Sequence, residues 1–325
     1  MDSHNKHWMV TLQEVFYPIL AAVGIPSNTI TSLIIWRRKC MISVSSSFYL
    51  MAISVADNLT LISIVVLELS LKYHQQEPFW SHEPWCNLRE VFNYGAYNAS
   101  TWLVVLFTVE RYISIQTWKI RRTICSPRCV VWTIVIVFIF SHLSAIPFYR
   151  SNASVQENNH TLCIYKPEAP TQFIHTLVWF QTLQAYVLPF VVILTLNGLT
   201  LRLISLTNRV QISADPSNTH KIRPLLRPRT RKSVLLLVTV SMTFVILSIT
   251  RAITQIILRT TKMYTLDRND YNSEINIVAD IGTMLCLSNA AINMYLYVCT
   301  QSRFRQEFLA CLKQVTFYCK NTCRE

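Results

Sequence analysis

Four glycines in 325 residues leave no glycine-rich loop to cradle a phosphate, and neither HExxH nor GxSxG occurs, so the usual catalytic signatures are missing. No CxxC pair or His/Cys cluster suggests a metal site. Charge is scarce too. Only 14% of residues are charged, where a soluble domain carries about 25%. With 51% of residues hydrophobic and a mean hydropathy of +0.30, that deficit points to a membrane protein. Length alone permits two soluble domains, but the spacing of apolar runs decides against them.

Seven runs each approach the roughly 20 residues that cross a bilayer as a helix, at about 15–36, 46–70, 88–115, 129–149, 173–205, 233–258 and 275–299. The first contains Pro18, Gly24 and Pro26 and lacks a short apolar core followed by a small-residue cleavage site, so it reads as a retained span. The expected fold is all-α: a seven-transmembrane helix bundle over 15–299, after an extracellular amino-terminal segment 1–14. A cytoplasmic amphipathic helix and short tail occupy 300–325.

A net charge of +13 would ordinarily suggest nucleic acid or an anionic surface. Its distribution argues against nucleic acid. With the amino terminus outside, the inner segments hold twenty bases, among them Arg37, Arg121, Arg223 and Arg303, against the three acids Asp215, Glu307 and Glu325. Basic loops resist translocation, so this bias sets the amino terminus outside and the carboxyl terminus inside. The loop between spans four and five then lies outside. It carries glycosylation sequons at Asn152 and Asn159. Cys86 and Cys163 both fall on this oxidising side and make the expected disulfide; the alternative is two free thiols. Cys286 and Cys299 lie within span seven, where a small apolar role is expected.

Ionisable groups in hydrocarbon cost about 2.5–3.5 kcal/mol even on lenient scales. Asp57, in the middle of span two, therefore needs partners. The amides Asn28, Asn289 and Asn293 are candidates to converge with it on a water or sodium ion, with simple interhelical hydrogen bonding as the alternative. Asn293 and Tyr297 are four apart and share a helix face. Beyond them Phe304, Phe308, Leu312 and Val315 recur at helical spacing among charged residues. That pattern predicts a helix lying on the inner leaflet against membrane lipid, with Cys311, Cys319 or Cys323 as acylation candidates.

Seven spans, Glu110-Arg111-Tyr112 closing span three, Asp57, and Asn293 to Tyr297 before an amphipathic helix together resemble the rhodopsin-like G-protein-coupled receptors. Trp132, Pro189 and the Cys86/Cys163 pair match that pattern as well. The resemblance covers essentially the whole chain. It implies a plasma-membrane receptor, not an enzyme, that carries an extracellular ligand's signal to a heterotrimeric G protein, with Glu110, Arg111, Tyr112, Asn293 and Tyr297 as the coupling switch. Asn197 and Arg251 further resemble an orphan subgroup responsive to tryptophan and phenylalanine. From this follow an aromatic amino acid as expected ligand and the Gq class as expected partner; a neuropeptide receptor of the same fold is the alternative. A transporter would show broken helices in corresponding halves, which this sequence does not.

Departures from the family pattern matter. Ser248 and Thr250 stand where members carry the Trp and Pro of span six, Met294 replaces a proline, and Thr230 replaces an acid found in some. Counting turns from Cys86 places Asn93, Tyr94 and Tyr97 toward the outer cavity. Asn93 stands where receptors for biogenic amines carry an acid, which argues against such ligands, and span seven has no lysine for a retinal Schiff base. Opposite lie Arg251 and Gln255, four apart, with His175 and Trp179 on span five and Asp280 and Thr283 on span seven. Arg251 offers a forked donor suited to a carboxylate, or pairs with Asp280.

Overall fold

The computed structural model describes residues 7–38, 43–70, 79–115, 126–157, 160–165, 170–214, 228–260 and 270–322. Asn159, Cys323, the Cys319 and Thr230 side chains, and Lys119, Arg121, Arg122, Lys221, Arg223 and Arg227 of the inner loops lie outside that description.

Seven long helices form the bundle. Span one is Trp8–Arg38, and span two is Val44–Thr60 continued by wider π-helical turns over Leu61–Ser70. Span three is Trp85–Ile115, and span four is Pro127–Ala145 with a 3-10 turn at Ile146–Arg150. Span five runs Thr171–Thr182, through a π-helical turn at Leu183–Val187, into Leu188–Ala214. Span six is Pro228–Thr260, span seven is Glu274–Thr300, and helix eight is Ser302–Thr322. The widened turn in span five sits just before Pro189, whose missing N–H and bulky ring would otherwise break an α-helical turn there.

Six of these helices are long and apolar enough to cross a membrane. Span three differs because its uncharged centre, Val91 to Val109, carries Asn93, Asn98, Ser100 and Thr101 among its apolar residues. At 1.5 Å per residue its 31 residues reach about 46 Å, ample for a crossing. Burial sorts the spans by position: half of the apolar window of span seven is buried (50%) but only 17% of that of span four, which lies at the lipid-facing edge.

Span one begins at Trp8, seven residues before the apolar run. Its first turns alternate inward Met9, Gln13 and Tyr17 with exposed residues, so polar Gln13 and Glu14 interrupt the apolar signal without interrupting the helix. Pro18 and Pro26 lie inside this span. Between them Gly24 allows three spans to meet, since a Cβ there would lie 2.6 Å from Leu61 Cδ1 and 2.8 Å from Ala291 Cβ.

Between spans four and five, β1 (Asn152–Glu157) pairs antiparallel with β2 (His160–Tyr165), with Ser154 opposite Cys163. The Cys86–Cys163 disulfide ties this hairpin to the start of span three. At the opposite end Phe304 of helix eight is buried and packs edge-on against Tyr297, ring centroids 5.8 Å apart. Leu309 and Leu312 stay exposed, the arrangement of a helix with one face on the bundle and another available to lipid. The main core, including Tyr49, Leu103, Phe107, Ile193 and Leu237, fills the half of the bundle nearer helix eight.

Candidate functional site

Asp57 is fully buried and joins three spans. Ser100 Oγ of span three donates to its Oδ1 at 2.5 Å, and Asn293 Nδ2 of span seven donates to its Oδ2 at 2.7 Å. Two hydrogen bonds offset much of the cost of burying this carboxyl group. Asn28 does not reach it: its Nδ2 donates to the Ala290 carbonyl of span seven at 2.7 Å. Among the described residues no hydrogen bond joins Asn289 to Asp57 either. The direct partners of Asp57 are thus one amide, Asn293, and one hydroxyl, Ser100. Ser100 escaped the sequence reading because a lone hydroxyl in an apolar run is common; its place seven residues after Asn93, two turns along the same face, was the available signal.

Nearer helix eight, Arg111 and Glu110 form a buried ion pair, 6% and 3% exposed. Arg111 Nε donates to Glu110 at 2.5 Å, Nη2 donates to the same carboxylate, and Nη2 also reaches Ser43 Oγ at 3.0 Å. Ser43 in turn caps span two, its Oγ accepting from Ser46 N at 3.2 Å. The guanidinium is thus tied both to its neighbour and to the start of another span. Tyr112 is half-buried beside this pair. Tyr297 is buried and its hydroxyl has no partner among the described residues. A further clasp joins spans five and six here: Asn197 Nδ2 donates to Ser241 Oγ at 2.7 Å, and Ser241 donates to the Leu237 carbonyl at 2.8 Å.

At the hairpin end a second centre surrounds Arg251, which is half-buried. Its Nη1 donates to Thr283 Oγ1 at 2.6 Å, and Gln255, one turn along span six, accepts from Nη1 and Nη2 at 3.3 and 3.2 Å once its amide is assigned with the oxygen toward the guanidinium, the orientation that satisfies both groups. Among the described residues Arg251 makes no ion pair. One turn from Thr283, Cys286 Sγ lies 3.0 Å from Tyr97 Oη and 3.7 Å from Ser248 Oγ. The ring of Tyr186, on span five, stands 6.0 Å from that of Tyr97. Arg251, Gln255, Thr283 and Tyr97 are therefore brought together, joined by Tyr186 and Cys286, which the sequence reading did not place here.

The remaining candidates spread around this centre. Asp280 accepts from Gln13 Nε2 and Tyr271 Oη, both at 2.8 Å, toward span one. Asn93 donates to Glu68 of span two at 2.5 Å, and the Tyr94 ring packs against Phe148 with centroids 4.1 Å apart. His175 and Trp179 are half-buried, three and two turns from Tyr186 along span five. Span six has no proline after its first residue. Ser248, where family members carry a bulky Trp, is small and buried, and Gly282 lets spans six and seven approach, since a Cβ there would lie 2.9 Å from Arg251 N. Asn152, a glycosylation candidate, starts the hairpin. It is 1% exposed and its Nδ2 turns inward to Glu90 at 3.3 Å.

Residues 27–297 match the family described as 7 transmembrane receptor (rhodopsin family). The chain belongs to that family: it is a multi-pass membrane receptor, not an enzyme. It is 23% identical over 309 residues to the C5a anaphylatoxin chemotactic receptor 1 of Oncorhynchus mykiss, covering 93% of this chain and 81% of the relative. It is 26% identical over 295 residues to the probable G-protein coupled receptor 142 of Mus musculus, covering 90% and 70%. Neurotensin receptor type 1 of Homo sapiens is 25% identical over 213 residues, 61% of this chain and 49% of that protein.

Proposed function

We propose that the receptor, with its amino terminus and hairpin outside the cell, responds to a ligand bearing a carboxylate and signals to a heterotrimeric G protein at the helix-eight end. The observation that carries this reading is Arg251, whose guanidinium is met by the neutral oxygens of Thr283 and Gln255. A forked cation with neutral neighbours favours an incoming carboxylate. Two ligands supply one: an aromatic amino acid, which Tyr97 and Tyr186 suit, and the carboxyl terminus of a peptide. Relatives named for C5a and neurotensin favour the peptide.

Ligand shifts the receptor only by its differential affinity for two arrangements. Binding at Arg251 acts on the close contact of spans six and seven at Gly282. Outward movement of span six then separates Asn197 from Ser241 and opens the face beside Arg111 to the G protein. Asp57, Ser100 and Asn293 offer oxygens to a sodium ion that holds the resting arrangement. The test is a cell line reporting several G-protein classes, challenged with tryptophan, phenylalanine and peptides with free or amidated carboxyl termini. A response to free acids, first through the Gq class, is expected; equal response to amidated peptides removes Arg251 as a carboxylate anchor.

A further inference from the structure

Span three offers no acid of its own at Asn93, yet the fold brings one there from span two. Asn93 Nδ2 donates to Glu68 at 2.5 Å, and Asn93 is 5% exposed. Glu68 is half-buried and belongs to the π-helical stretch that continues span two. Its wider turns shift side chains off the α-helical spacing, so periodicity along the chain does not bring Glu68 to this height. The neutral amide fixes the carboxylate without cancelling its charge. A carboxylate has room for about four hydrogen bonds, so this one contact does not fill it.

Asn93 precedes Tyr97 by four residues, so the two share a face of span three about one turn, ~5.4 Å, apart. Tyr97 belongs to the Arg251 centre through Cys286, at 3.0 Å, and Tyr94 lies within electrostatic reach of the guanidinium. One face of span three therefore borders both a cation and an acid. They stand on separate walls: Arg251 comes from span six and Glu68 from span two, and span seven packs against both of those helices. Asp280, another acid at this end, is engaged elsewhere, receiving Gln13 and Tyr271 at 2.8 Å toward span one.

We propose that Glu68 determines specificity: it receives a cationic group of the same ligand whose carboxylate meets Arg251, an assignment that rests on that reading of Arg251. The ligand class is then a peptide that ends in a free carboxylate on a basic residue. A free amino acid carries its ammonium and carboxylate on one carbon and cannot reach two walls. A terminal lysine holds its two charges a full side chain apart. Its ammonium gains a charge-assisted hydrogen bond at Glu68, about twice as strong as a neutral one. The absence of an acid at Asn93 thus does not exclude cationic ligands, because the neighbouring span supplies the carboxylate.

Four N-acetylated peptides test this on the purified full chain: Ala-Ala-Phe-Lys, Ala-Ala-Phe-norleucine and the carboxamide of each. Half-saturating concentrations are read from the rise in melting temperature with added peptide. Norleucine keeps lysine's carbon chain and loses the ammonium, so the lysine acid is expected to bind about tenfold to a hundredfold more tightly than the norleucine acid. In Glu68→Gln, which keeps an acceptor for Asn93, that preference disappears; Glu68→Asp, which keeps the charge on a shorter arm, retains part of it. The comparison of peptides on the unaltered receptor needs no variant. Amidation separates the two sites: a Glu68-dependent lysine preference that is indifferent to amidation supports Glu68 and removes Arg251 as the carboxylate anchor. Equal binding of the lysine and norleucine acids, a lysine preference that survives in folded Glu68→Gln, or no shift with any of the four peptides overturns the proposal.

Discussion

Asp57 and Arg251 are both charged side chains set between helices, and they are treated in opposite ways. Asp57 is sealed and receives donors from two other spans. Arg251 remains half-buried and, among the described residues, meets neutral partners: Thr283, Gln255 and Tyr186. A satisfied buried network holds helices together. A cation without a counter-charge among the described residues is the feature on which the proposed carboxylate site rests. One centre is thus suited to restraint and the other to reception, and the contrast lies in partners rather than in residue type.

The largest perturbation removes the roof over one centre and leaves the other untouched. Cys163→Ser opens a bridge between residues 77 apart in sequence and is expected to cost about 2–5 kcal/mol. Thermal unfolding of the purified receptor and cell-surface staining measure it; a variant that reaches the surface and melts normally makes the hairpin dispensable. Asp57→Ala strands the Ser100 and Asn293 donors and is expected to cost about 2 kcal/mol. It also erases any dependence of the melting temperature on sodium, and a sodium effect that survives the change places the ion elsewhere.

Gly282→Ala probes the seam under Arg251. The added methyl group must move the span-six backbone, at a cost of about 1–3 kcal/mol, seen as a lower melting temperature and a weaker maximal response. Arg251→Ala is expected to spare stability and to reduce the potency of a carboxylate agonist about tenfold to a hundredfold. Arg251→Lys, which keeps the charge and loses the fork, falls between the two. The smallest expected effect is at Asn152→Gln, which leaves the mass of the glycosylated receptor unchanged, whereas Asn159→Gln lowers it by one glycan. Loss of a glycan from the Asn152 variant shows that this side chain turns outward in the cell.

Much of the bundle is legible in the residues because the tendency to cross a bilayer is a property of about 20 consecutive residues. Span three illustrates the limit: Asn93, Asn98, Ser100 and Thr101 lower the average of its centre, although Val91 to Val109 carries no charge. Span one shows another, for Gln13 reads as the edge of a loop and in fact reaches Asp280 from inside a helix. Asp57, Arg111 and Arg251 were visible as candidates because a charge in an apolar run stands out. Ser100, Ser43 and Tyr186 were not, since hydroxyls and aromatics are ordinary in such helices.

The sequence by itself determined the all-helical class, the number of long helices and the family, since each follows from local composition or from short motifs in order. Tertiary structure decided which polar groups meet. Asn28 found a backbone carbonyl instead of Asp57, Asn152 turned in to Glu90, and Gly282 brought span seven against the backbone of Arg251. Periodicity along one helix states which residues share a face; the height and rotation at which that face meets another helix depend on how small and large side chains interlock across the bundle.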